Sequence, residues 1–170
     1  MTDADATGTQ DFQQIFSEDD PLHVLWVKAY QGEVLGEELF GRMADQMDDE
    51  DHVAKMRVLS ELERRTKEAV APALDRAGLS TAPDDESLQA AEALAGAAGM
   101  PWKDLMATFE PITSQYLAVY RRIGELDPSE KETADLLVAH ELALRGFARA
   151  EFAGDSDTSL DQINALAHMR

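Results

Sequence analysis

Cysteine is missing from this chain. Its absence excludes disulfides, zinc–thiolate sites, iron–sulfur clusters and cysteine nucleophiles. Basic residues are few: 15 Lys and Arg stand against 34 Asp and Glu, for a net charge of -19. A general affinity for nucleic acid or for an anionic membrane needs a basic face, so neither partner is expected. No apolar run approaches the roughly 20 residues of a membrane span. Met1 to Asp20 holds no apolar core of the signal-peptide kind, so a cytoplasmic protein is the expectation. Gly96 to Gly99 sits in an Ala-rich stretch without Lys and makes no phosphate loop, and there is no serine nucleophile elbow. Strand-type alternation and internal repeats are also missing.

What is present reads as helix. The chain has 170 residues, of which 44% are hydrophobic, enough for one domain with a sizeable core. Residues 1–18 read as a flexible N-terminal arm, polar and acidic, whose apolar patch of Phe12, Ile15 and Phe16 could dock onto the body. Residues 19–170 read as a single helical-bundle domain.

Four long helices are expected in it. The first opens at Asp20-Pro21, a cap followed by a proline suited to the first turn, and runs to about Met47. Trp26, Ala29, Tyr30, Glu33, Glu37, Phe40 and Ala44 share one face at spacings of three and four. The second starts in the acidic run Asp48 to Asp51, which complements a helix N-terminus, and stops near Gly78. A long connection, Leu79 to Met100, contains an Ala-rich short helix over Leu88 to Ala98 and allows the helices on either side to run parallel. The third helix spans Pro101 to Leu126, with a kink or break expected at Pro111. The fourth opens at Asp127-Pro128-Ser129-Glu130 and ends at Gly154, and a short C-terminal helix covers Ser159 to Met169.

The candidate site residues follow from these stripes. His140 alone among the histidines lies deep inside an apolar-striped helix; His23, His52 and His168 fall at helix starts or in the tail, where surface roles are expected. A core imidazole can be a satisfied polar residue, a proton shuttle or a metal ligand. Glu33 and Glu37 stack four residues apart, a repulsion that a cation, a shared proton or a basic neighbour would relieve. Which of the two faces inward is left open. Glu63 lies beside the apolar stripe of the second helix, although Lys67 four residues on offers it a surface pair. Glu61 is flanked by Arg57 and Arg65 and reads as surface. Glu110 has no basic residue three or four positions away, and Glu141 either pairs with Arg145 or stands with His140.

Four such helices with acidic residues at mid-height resemble the ferritin-like superfamily of carboxylate-bridged di-iron proteins. In that family the first and third helices each give a Glu, and the second and fourth each give a Glu-x-x-His pair. Glu37 (or Glu33) matches the first ligand and Glu110 the third. The second helix offers Glu63-Arg64-Arg65-Thr66, with Thr66 where His would stand. The fourth offers Leu137-Val138-Ala139-His140, with Leu137 where Glu would stand and Glu141 as a neighbouring substitute. The resemblance implies an all-α ferritin-like four-helix bundle with a long crossover between the second and third helices. It also implies iron or manganese held by Glu37, Glu63, Glu110, His140 and Glu141. Two other readings stand beside it. One is a non-catalytic helical module for partner binding or homodimer formation that has lost its metal site. The other is a planar cofactor held axially by His140.

Overall fold

The computed structural model describes residues 16–17 and 19–166, and these are all-α, with no strand among them. Seven α-helices follow in order: α1 (Leu22–Gln46), α2 (Glu50–Arg76), α3 (Asp85–Leu94), α4 (Trp102–Ala107), α5 (Phe109–Leu126), α6 (Lys131–Ala153) and α7 (Asp161–Leu166). Most of the expected arm, and the end of the expected tail helix with His168, lie outside the described residues. Phe16 is described. It is buried against the core, edge-on to Tyr116 at 5.2 Å between ring centroids.

The helix ends mostly obey local rules. Asp49 caps α2 by accepting from the backbone N–H of His52 at 3.0 Å, and Asp84 caps α3 by accepting from that of Ser87 at 2.7 Å. Gly78 and Gly154 follow α2 and α6 with φ of 68° and 90°, the left-handed turn that glycine adopts without a Cβ penalty. Asp20 departs from expectation. Its carboxylate accepts from the backbone N–H of Ser17 and from Lys28, so α1 begins at Leu22 with no side-chain cap. The third expected helix is also two. The break expected at Pro111 falls at Thr108, whose hydroxyl donates to the Leu105 carbonyl; Pro111 has no N–H for the Ala107 carbonyl and stands in the first turn of α5.

Cross-contacts give the helix directions. Only three residues join α1 to α2, which therefore run antiparallel. Trp26, near the start of α1, donates to Asp127 at the end of α5, while Phe40, near the end of α1, stacks on Phe109 at the start of α5. Helices α1 and α5 are thus antiparallel. Arg76, ending α2, pairs with Glu130 just ahead of α6, and Lys55, near the start of α2, pairs with Glu151 near the end of α6. Helices α2 and α6 are antiparallel too. It follows that α2 and α5 run the same way, and the connection between them must traverse the length of the molecule. Its first part is tied to α1: Tyr30 and Gln31 donate to the carbonyls of Thr81 and Ala82, and the Asp84 N–H donates back to Gln31.

Two apolar clusters fill the interior. One gathers Leu25, Trp26, Val70, Leu74, Ile123 and Leu137. The other gathers Phe40, Met56, Leu59, Leu105 and Phe147 near the opposite end. Each fully buried side chain of this kind contributes about 1.5–3 kcal/mol. Among the buried side chains that belong to neither cluster are Glu33, Glu63, Thr66, His140 and Glu141. Helices α1, α2 and α6 therefore carry a polar layer inside an otherwise apolar core.

Candidate metal centre

His140 projects from α6 with 1% of its surface exposed. Its Nδ1 lies 2.8 Å from the Thr66 hydroxyl on α2, and that hydroxyl lies 3.0 Å from the Leu62 carbonyl. A carbonyl only accepts, so the Thr66 proton is directed to Leu62 and the hydroxyl accepts from His140. Nδ1 thus carries the ring proton, and Nε2 presents a bare lone pair.

That lone pair faces two carboxylates. Glu33 Oε2 from α1 and Glu63 Oε2 from α2 each lie 3.4 Å from Nε2. The three donor atoms lie within 4.8 Å of one another, a spacing that could hold a metal ion. Tyr120 on α5 donates to the other oxygen of Glu33 at 3.1 Å. Glu33 Oε2 itself is buried and has no hydrogen-bond partner among the described residues. An unpaired buried carboxylate oxygen beside an imidazole lone pair lacks a positive centre, either a proton or a cation.

Burial governs the titration of this group. It holds the carboxyls of Glu33 and Glu141 well above the usual range, and each is pushed further by neighbouring carboxylates. It raises Glu63 to about 8, with Glu33 pulling the other way. Burial also lowers His140, opposed by the Glu33 charge. The same desolvation raises Tyr120 and Tyr116. In this environment protons neutralise the cluster when nothing else does, and a divalent cation would compete with them.

Glycine makes the close approach possible. A Cβ on Gly36 would come within 2.5 Å of Glu63 Cδ, so this glycine is what lets Glu63 cross in front of α1. Gly32 likewise clears space for Tyr116, whose Cε1 would sit 2.7 Å from an added Cβ. The two glycines lie four residues apart and flank Glu33. That pattern was the available signal that the Glu33 side of α1 faces the interior.

Of the expected ligands, Glu63 and His140 stand together, and Glu141 is buried next to them, facing a cavity shared with Glu33 and Glu63. Two others are not brought to the site. Glu37 pairs with Lys67 of α2 near the surface, so the α1 carboxylate beside His140 is Glu33. Glu110 receives a two-pronged bond from Arg149 at 2.8 and 2.7 Å, with Arg145 at 3.6 Å; the Arg149 bonds hold its carboxyl below the usual range. Arg145 is turned to Thr113 and Ser114 as well as Glu110, and none of its hydrogen bonds or ion pairs goes to Glu141. Tyr120 supplies the polar contact from α5 that Glu110 does not. Thr66, in the place of a family histidine, orients His140 instead, and Leu137, in the place of a family glutamate, is packed in the core.

A second acidic group, Asp49, Asp51 and His52, is exposed or half-buried and has structural roles. Asp49 caps α2, Asp51 binds Lys55, and His52 stacks on Trp102 at 3.9 Å. Among the described residues no helix is long and apolar enough to cross a membrane. No protein-family model, no curated protein and no solved structure matches the chain.

Proposed function

We propose that this protein is a ferritin-like metal-binding bundle that holds one iron or manganese ion through Glu33, Glu63 and His140, with Glu141 as a further carboxylate. The observation that carries this reading is His140 Nε2 lying 3.4 Å from a buried Glu33 oxygen that has no hydrogen-bond partner among the described residues. Oxygen-rich donors with a single imidazole suit Fe(II) or Mn(II) better than softer ions. Tyr120 holds the outer oxygen of Glu33 and Thr66 holds the far side of His140, so both donors are oriented by neighbours in the way metal ligands usually are. The directions of α1, α2, α5 and α6, with a traversing connection between α2 and α5, accord with a ferritin-like bundle. One imidazole rather than two favours a single ion over a pair. When bound, such an ion supplies Lewis acidity and, for iron, one-electron chemistry.

The competing reading is a scaffold that keeps the cluster protonated and binds partners instead. Metal analysis after anaerobic reconstitution, with Mn(II) titration followed by electron paramagnetic resonance, separates the two. The expected result is one ion per chain in the wild type and none in the Glu33→Gln, Glu63→Gln double variant. A wild type that takes up neither iron nor manganese leaves the scaffold reading standing.

A further inference from the structure

Beside the carboxyl group lies a cavity of about 210 Å³. Its inner end is walled by Glu33, Glu63, Glu141 and the two tyrosines Tyr116 and Tyr120. Its outer end is walled by Leu94 and Met100, which are 50% and 40% exposed. Between the ends the lining is hydrocarbon and aromatic: Leu35, Leu39, Phe40, Met43, Leu105 and Phe109 are typical. The traversing connection between α2 and α5 roofs the cavity, and α1 and α5 form its sides. It therefore leads from the surface to Glu33 Oε2, the buried carboxylate oxygen that has no hydrogen-bond partner among the described residues.

We infer that this cavity is a binding site for a small, uncharged, mainly apolar molecule whose single polar end reaches Glu33, Glu63 and Glu141. Size sets one bound. An engineered cavity of roughly 150 Å³ takes benzene, so by proportion this one takes about eight carbon atoms. Charge sets another. Among the described residues lining the cavity none is Lys, Arg or His, and three acidic side chains close its inner end. In the metal-free chain a carboxylate or phosphate head would be buried there with no basic side chain among the described lining residues to pair it. A hydroxyl or carbonyl head can hydrogen-bond to the carboxyl groups and leave its chain in the apolar part. Pockets for small molecules commonly pair such an apolar body with a few convergent polar groups. This inference deepens the metal-centre reading and rests on it for its chemical meaning, since the polar head would arrive beside the ion. Binding itself needs no ion.

The test is calorimetric titration of the full chain with 1-octanol and, separately, with octanoate, in the protein as purified and after chelator treatment. A shift in thermal midpoint gives a second readout. The expected result is saturable octanol binding in both preparations, with octanoate at least tenfold weaker in the chelator-treated one. Ala97→Phe and Thr108→Phe, each set to fill the cavity and each checked for helicity, are expected to weaken octanol binding at least tenfold. Manganese uptake by these variants is expected to match wild type. No octanol binding, equal binding of octanoate by the chelator-treated protein, or full binding by both correctly folded filled variants overturns the inference. Failure of octanol with manganese still bound removes the pocket and keeps the metal centre. Octanol binding without manganese uptake keeps the pocket and removes the metal centre.

Discussion

Replacing Thr66 with Val keeps the branched shape and removes the hydroxyl on which His140 leans. The Leu62 carbonyl loses little, because it lies within a helix and retains its backbone partner. His140 loses the one acceptor that the described residues offer its Nδ1–H, at a position with 1% exposure. A buried donor left unsatisfied costs about 1–3 kcal/mol. For a domain of this size that is a fall of about 2–12 °C in thermal midpoint. The ring has one escape: it can move its proton to Nε2 and donate to Glu33 or Glu63, both 3.4 Å away. That tautomer no longer offers a lone pair to a cation, so metal affinity is expected to fall about 10–100-fold, as for loss of other orienting partners. Denaturant unfolding gives the first quantity, and two-dimensional ring nitrogen–hydrogen spectra give the tautomer. Thr66→Ser restores the acceptor and is expected to recover the wild-type tautomer. The reasoning is refuted if Thr66→Val unfolds within about 0.5 kcal/mol of wild type with its proton still on Nδ1.

Two further outcomes follow from the same cluster. Glu63, raised to about 8 by burial, binds a proton in the folded chain that it has released in the unfolded one, so its contribution to stability is full below pH 4.5 and is lost as pH rises to 8. His140, lowered by burial, acts in the opposite sense but only below about pH 6.5. Between pH 6.5 and 8 Glu63 alone is therefore expected to take about 2 kcal/mol from the metal-free protein, at about 1.4 kcal/mol per pH unit, and Glu33 and Glu141, raised by the same burial, add to the loss. Urea unfolding in chelator across that range measures it, and Glu63→Gln should lower the slope by about 1.4 kcal/mol per pH unit; a flat wild-type profile would contradict the burial argument. Gly36→Ala places a methyl against Glu63 while gaining roughly 1 kcal/mol of helix propensity. It should leave urea stability within about 1 kcal/mol of wild type yet lower manganese affinity at least tenfold. Unchanged affinity would mean that Glu63 is not a ligand.

The helix pattern was legible because its signals act within one turn. Asp49, Gly78 and Gly154 stop or start helices through their own side chains or backbone freedom, and the structure uses them so. Asp20 was misread as a cap because Ser17 and Lys28 claim its carboxylate. Pro111 marks the break that its position predicts: it has no N–H to offer the Ala107 carbonyl four residues back, so α4 ends there and a new helix opens with the proline in its first turn. The inward position of His140 was legible from its apolar neighbours on α6, and that of Glu63 from its place beside the α2 stripe.

The sequence by itself determined that the chain is helical, that a long connection separates two helix pairs, and that one imidazole is buried. Tertiary structure alone decided which acids join it. Glu37 finds Lys67 and Glu110 finds Arg149, partners 30 and 39 residues away along the chain. Among the described residues Glu33 meets polar groups of an imidazole, a tyrosine and another acid, and no Lys or Arg. The state of a carboxylate is set by the opposite charge nearest to it over a few ångströms, and helical periodicity reports only neighbours on the same helix.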